Sequence, residues 1–213
     1  MLVAIDGPAG AGKSTVARAL AGELGYSYLD SGALYRSVAL LALQEPDADP
    51  ARLAAEMKIE LDDRSPSSEP AVLLDGRDVS AEIRTPEVSA EASRVAAEPA
   101  VRAALLEKQR ALLGSGDWIA EGRDIGTVVA PDADVKVFLT ADPGERARRR
   151  ALEQHGDAHA VAAELSARDE RDRSRAHAPL KAAPDAVEID TSALSAAEVV
   201  ARIAELVRAR SRR

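Results

Sequence analysis

Gly7-Pro8-Ala9-Gly10-Ala11-Gly12-Lys13-Ser14 has the spacing G-x-x-x-x-G-K-[ST], and no other segment of the 213-residue chain restricts the fold so strongly. A phosphate wrapped by successive backbone N–H groups leaves no room for side chains at Gly7 and Gly12. A helix starting just beyond the loop adds the positive end of its dipole. The flanks supply both elements. Residues 2–5 are a short apolar run that reads as a strand. From Lys13 the chain carries Val16, Leu20 and Leu24 at i, i+4 and i+8, and Gly25 ends the helix. The arrangement points to a bound nucleoside triphosphate cradled by residues 7–15, Gly7 to Thr15. Lys13 would reach its outer phosphates and the Ser14 hydroxyl would ligate Mg2+. Four constrained positions would coincide by chance in a chain this long roughly once in a hundred times. Here the match also stands between a strand and a helix, as the chemistry requires.

The rest of the chain alternates strand and helix signals. Residues 26–29 suggest a second strand, after which Asp30 or Ser31 caps a helix through Leu34, Val38 and Leu41. Pro46, Pro50, Pro66 and Pro70 and the polar stretch 65–68 change the texture, and residues 71–79 read as a hairpin around Asp75-Gly76. A helical stretch over 86–113, interrupted near Pro99, ends at Gly114 and Gly116. Apolar runs at 118–121, 135–140 and 186–190 are separated by helical segments, as in a parallel sheet. A last helix over 196–210 has Val199, Val200, Ile203, Leu206 and Val207 on one face. The expected class is α/β.

A net charge of −8 and a pI near 5.0 argue against binding nucleic-acid polymers or membrane surfaces through surplus cations. Aromatics make up 2% of the chain, which removes the stacking platform of single-strand binders. No cysteine is present, so disulfides, thiolate metal sites and thiol nucleophiles are excluded, and no apolar run approaches membrane-spanning length. A cytoplasmic location and a monomeric state are expected. Basic charge is nonetheless concentrated: residues 142–175 hold Arg146, Arg148, Arg149, Arg150, Arg168, Arg171, Arg173 and Arg175 and no lysine. Transfer of phosphate to a phosphate acceptor needs cations to offset the repulsion between two anions, and the arginine fork suits that task. Arg168, Asp172 and Arg175 fall at i, i+4 and i+7 on one helical face, with Arg171 beside them. A solvated helix laced with Asp/Arg pairs is the competing reading, and for residues 146–150 the two stand level.

Three clusters shift that balance. Asp30-Ser31-Gly32-Ala33-Leu34-Tyr35-Arg36, Glu121-Gly122-Arg123-Asp124-Ile125-Gly126-Thr127-Val128-Val129, and the run from Arg168 through Arg175 to Pro179-Leu180 together resemble the bacterial cytidylate kinases of the nucleoside monophosphate kinase family. The fragment from Asp78 to Thr85 resembles that family's insertion. The resemblance covers essentially the whole chain. It implies a P-loop kinase with a five-stranded parallel sheet of order 2-3-1-4-5, a small β-rich monophosphate-binding insert and an arginine-bearing lid. Expected boundaries are 1–56, 85–142 and 176–213 for the core, 57–84 for the insert and 143–175 for the lid.

The same resemblance implies ATP as donor, Mg2+ as cofactor and CMP or dCMP as acceptor. Lys13, Arg123, Arg168, Arg171 and Arg175 become the catalytic cations. Ser31 joins the acceptor site, Arg36, Arg123 and Arg175 hold the acceptor phosphate, and Arg168 with Asp172 holds the sugar hydroxyls. Ser93, Arg102 and Asp124 read the base. Glu121 departs from the aspartate common in the family, and residues 151–163, with His155, Gly156 and His159, carry little motif character. His155, His159 and His177 read as surface histidines, since no carboxylate-histidine spacing supports a metal cage. Two rivals are a phosphate-loop kinase of a hydroxyl acceptor of the shikimate kinase kind, with Asp30 as base, and a GTPase-like switch. The long insert and the base-reading set oppose the first; the absence of an Asn-Lys-x-Asp signature opposes the second.

Overall fold

Strand β1 (Leu2–Asp6) is buried from Val3 onward because both of its edges are paired. It lies parallel to β6 (Trp118–Gly122) on one side and to β7 (Val135–Thr140) on the other. The computed structural model describes residues 1–62, 71–154, 157–175 and 177–212. Its chain divides into two compact units, residues 1–28 with 116–213 and residues 29–115.

In the first unit β7 also pairs in parallel with β8 (Val187–Asp190). With β2 (Ser27–Asp30), where the chain passes from one unit to the other, the sheet order is β2-β6-β1-β7-β8. Counting only this sheet's strands, that is the expected 2-3-1-4-5. Val3, Ile5, Ile119, Val137 and Leu139 pack with Val16 and Leu20 of α1 (Lys13–Leu24) and with Val200 and Ile203 of α8 (Ala196–Ser211) in one apolar core. Helix α8 starts at a capping box: the Ser195 hydroxyl accepts from Glu198 N at 3.3 Å, and the Glu198 carboxylate accepts from Ser195 N at 2.8 Å. The arginine-rich segment forms α6 (Pro143–Gln154) and α7 (Ala158–Ser174). Ala147 and Ala151 of α6 meet Val161 and Leu165 of α7, and Ala9 of the glycine loop joins them.

The second unit holds α2 (Ser31–Gln44), α3 (Pro50–Glu56), β3 (Ile59–Asp62), β4 (Ala71–Leu74), β5 (Arg77–Asp78), α4 (Pro86–Val95) and α5 (Pro99–Leu112). The three strands form an antiparallel sheet in the order β3-β4-β5. Asp75 and Gly76 both take positive φ (51° and 80°), the left-handed pair that closes a tight hairpin. Helix α3 was not anticipated where the prolines change the texture of the sequence: Pro50 sits at its first turn, where no N–H is needed, and Asp49 caps it by accepting from Ala51 N at 3.0 Å. The expected helical stretch is two helices, with Pro99 opening the second. Pro66, Pro70, the 65–68 stretch, His155 and Gly156 lie outside the described residues.

Candidate active site

The glycine loop is built against β7 and α6 within the first unit. Gly7 has φ 148°, and a Cβ there would stand 2.1 Å from the Leu139 carbonyl oxygen, so backbone contact fixes its identity. Gly12 differs from the expectation of a crowded position. A Cβ would meet only the Arg149 guanidinium at 3.8 Å, and its φ of 86° is what favours glycine. Four loop carbonyls are taken by side-chain donors: Gly7 by Arg123 Nη1 at 3.0 Å, Pro8 by Lys13 Nζ at 2.8 Å, Ala9 by Arg146 Nη1 at 3.1 Å and Ala11 by the Thr191 hydroxyl at 3.2 Å. Ser14 and Thr15 are exposed at the start of α1.

Lys13 is buried, and burial together with the Arg123 and Arg168 charges pushes its pKa down to about 7, against the opposing pull of Glu121 and Asp6. Arg123 also bonds Asp172 through Nε at 3.0 Å, and Arg175 donates to the other Asp172 oxygen. Burial resists ionisation of Asp172, yet Arg123, Arg175 and Arg168 outweigh it and hold its pKa below the usual range. Lys13, Arg123, Arg168, Asp172 and Arg175 are thus gathered, as one charged cluster beside the loop. Arg171 does not join them: it is exposed, with Nε on the Ala167 carbonyl of its own helix at 3.2 Å. The segment 146–150 divides between its two readings. Arg146 is buried and paired with Asp169, and Arg149 bonds Thr191, while Arg148 is a surface partner of Glu145.

Sequence reasoning passed over two buried carboxylates in this unit. Asp6, the last residue of β1, accepts from Ile125 N at 2.8 Å and Gly126 N at 2.7 Å. It thereby ties the loop's strand to the wide helical turn Ile125–Val129 that follows Arg123 and Asp124. Burial outweighs the two amide bonds and raises its pKa to about 6. Glu121, noted only as a departure from aspartate, is buried and accepts the Tyr28 hydroxyl. Both carboxylates act on Lys13 through space. The sole sequence cue was polarity at the C-terminal ends of two otherwise apolar strands.

In the second unit Asp30 caps α2 by accepting from Ala33 N at 3.1 Å and binds Arg36, with Ser31 buried beside it. Burial opposes its ionisation, but Arg36, Arg84 and the Ala33 amide prevail and its pKa is lowered. A carboxylate held in this way is a weak base, which counts against the hydroxyl-acceptor rival. Arg36 Nε is buried and has no hydrogen-bond partner among the described residues. Ser93 is buried on α4, its hydroxyl donating to Ser89 O at 3.4 Å. Arg102 of α5 donates to Ala96 O at 3.3 Å and lies 5.5 Å over the Tyr35 ring. Asp124 is buried in the first unit. His159 and His177 are exposed, and among the described residues no group of three or more His, Cys, Asp or Glu side chains could hold a metal ion.

Residues 3–209 match the family model described as Cytidylate kinase. The chain is 49% identical over 225 residues to a cytidylate kinase of Solibacter usitatus, covering 99% of this chain and 93% of that one. It is also 49% identical over 217 residues to a cytidylate kinase of Mycobacterium leprae, covering 99% and 97%. Among solved structures, a gluconokinase from Sinorhizobium meliloti aligns with TM-score 0.53 at 16% identity over 99% of this chain and 93% of that one, a likeness of fold alone.

Proposed function

The chain belongs to the cytidylate kinase family, and from that premise we propose that it transfers the ATP γ-phosphoryl group to CMP or dCMP, giving ADP and CDP or dCDP. The observation that carries this reading is the gathering of Lys13, Arg123, Arg168 and Arg175 beside a glycine loop, with Asp172 as counter-ion to the three arginines. One triphosphate needs the loop and Lys13; a second anion explains the arginines.

ATP is assigned to residues 7–15, with Lys13 on its outer phosphates. Arg36, Arg123 and Arg175 take the acceptor phosphate, Arg168 and Asp172 the sugar hydroxyls, and Ser31 completes the acceptor site. The buried Arg36 Nε, without a hydrogen-bond partner among the described residues, is a donor suited to a phosphate oxygen. Arg171 is the weakest of the catalytic assignments, since its charge is directed to solvent. Asp124, Arg102 and Ser93 match the cytosine edge: a carboxylate accepts from the N4 amino group while the other two donate to N3 and O2. Uracil presents O4 to the carboxylate and N3–H to a donor, and a site built for the first pattern rejects the second.

Mg2+ fits the donor set present. The exposed Ser14 hydroxyl is a hard oxygen ligand, and the described residues build no cage of carboxylates, so the ion would be held jointly by Ser14 and the ATP phosphates. When bound it neutralises charge on those phosphates. The acceptor phosphate is largely ionised at neutral pH, so direct in-line attack needs no general base, and positioning with charge stabilisation supplies the rate. The same reading takes the protein as a cytoplasmic monomer acting on small nucleotides. No helix among the described residues is long and apolar enough to cross a membrane.

ADP release in a coupled assay over CMP, dCMP, UMP, AMP and shikimate tests the assignment. Turnover should be fastest with CMP or dCMP. Equal or faster turnover of UMP or AMP would remove the cytosine assignment, and ATP use unstimulated by any monophosphate would remove the kinase itself.

A further inference from the structure

The buried ion pair between Arg146 of α6 and Asp169 of α7 belongs to neither half of the substrate chemistry described above. Arg146 is 6% exposed and Asp169 1%. Arg146 also donates to two backbone carbonyls: Nε to Ala141 O at 3.2 Å and Nη1 to Ala9 O at 3.1 Å. The second of these lies inside the glycine loop. A trans peptide is planar, so holding the Ala9 carbonyl on one side fixes the Gly10 N–H on the other. Gly10 has φ 75°, and a Cβ there would meet Arg146 Cβ and O at 2.9 Å, so α6 approaches the loop as closely as glycine permits.

We infer that Arg146 and Asp169 are a positioning pair for the phosphate loop: Arg146 locks the peptide between Ala9 and Gly10 so that its N–H is preset for the triphosphate, and Asp169 locks Arg146. Fold stability alone does not account for the pair. Ala9, Ala147, Ala151, Val161 and Leu165 already join loop, α6 and α7 through apolar contact. Buried ion pairs replaced by apolar residues of similar volume commonly leave stability unchanged or raised. Asp169 Oδ1, moreover, has no hydrogen-bond partner among the described residues, an incomplete satisfaction that stability would not favour. What an apolar substitute cannot reproduce is the bond to Ala9. Preset donors cost no reorganisation when the anion arrives, so their loss falls on nucleotide affinity.

The inference rests on the assignment of ATP to residues 7–15, and the test separates the two. Calorimetric affinities for a magnesium complex of a non-hydrolysable ATP analogue, and separately for CMP, are compared with thermal melting in wild type and in Arg146→Met/Asp169→Leu. The double change removes both charges together, so neither is left buried alone. Affinity for the analogue should fall about tenfold, as expected for loss of one preset hydrogen bond to a charged group, with CMP affinity falling less. The melting temperature should stay at or above the wild-type value. Asp169→Asn, which keeps volume and an acceptor, should lower analogue affinity by a smaller factor and serves if the double variant does not fold. Analogue affinity within twofold of wild type in both variants overturns the positioning role. So does an equal fall in analogue and CMP affinity, which general loss of packing would produce. A wild-type protein that does not bind the analogue overturns the ATP assignment instead.

Discussion

Lys13 carries a pKa near 7 in the nucleotide-free protein, so ATP binding above that pH must take up a proton. At pH 8 a group of that pKa is about 10% protonated. A phosphate oxygen about 4 Å from the ammonium contributes about 4 kcal/mol at an effective dielectric of 20, or about three pKa units, which returns Lys13 to its ordinary range. Uptake at pH 8 should then be about 0.9 proton per ATP, and at pH 6 about 0.1. Other groups add little at pH 8: terminal phosphates titrate near 6, and Asp6, raised to about 6, is already ionised. Affinity should fall close to tenfold per unit of pH above 7. Calorimetric titration at pH 8 in buffers of different ionisation enthalpy gives the proton count as the slope of observed enthalpy against that of the buffer. Lys13→Met should abolish the slope. A wild-type uptake below about 0.3 proton at pH 8 would refute the reasoning, because Lys13 would then be charged before the nucleotide arrives.

Gly7→Ala places a Cβ 2.1 Å from the Leu139 carbonyl oxygen at a φ of 148°, a clash with backbone that no side-chain rotation relieves. It should cost about 4 kcal/mol or more and lower the melting temperature by roughly 10 °C or more, and a change below about 2 °C would show that β7 moves aside freely. Tyr28→Phe deletes the hydroxyl that the buried Glu121 carboxylate accepts. It should cost about 1–3 kcal/mol, or roughly 2–12 °C in thermal melting, and an unchanged melting curve would mean that water replaces the hydroxyl. Asp124→Asn replaces an acceptor-only group with one that also donates, so turnover of CMP relative to UMP should fall while affinity for the ATP analogue holds. Unchanged discrimination would remove Asp124 from base reading.

The strands and helices of the parallel sheet were legible because each buried strand is a short apolar run and each connection a helical period, both local patterns, whereas the order of the strands came only from the family resemblance. The break at Pro99 and the hairpin at Asp75-Gly76 were legible for a similar reason: each is set by the backbone preferences of one or two residues. Helix α3 was not read from sequence although its start signal was present: the four prolines mark a change of texture, but Pro50 follows an Asp cap and lies at the one turn of a helix that tolerates it. Strand β3 depends on pairing with β4, so its identity comes from a partner rather than from its own four residues. The arginines of residues 142–175 could be counted from sequence but not sorted. Arg146 and Arg148 differ by two positions on one helix; Asp169, 23 residues beyond Arg146, makes one a buried strut, and Glu145 keeps the other at the surface.

The glycine loop shows the same division within eight residues. Its motif describes the inner face, where glycines permit the backbone to wrap an anion and Lys13 reaches across. The outer face is a row of carbonyls, and the donors that hold it, apart from Lys13 itself, come from Arg123, Arg146 and Thr191. These residues stand 116, 137 and 180 positions away from the carbonyls they bind. Each N–H on the inner face is rigidly coupled through its peptide plane to a carbonyl on the outer one. A phosphate loop is therefore only as preset as the distant residues behind it. Two chains with identical loop sequences can differ in nucleotide affinity if those donors differ, and changes at Arg123, Arg146 or Thr191 should be read as changes to the loop.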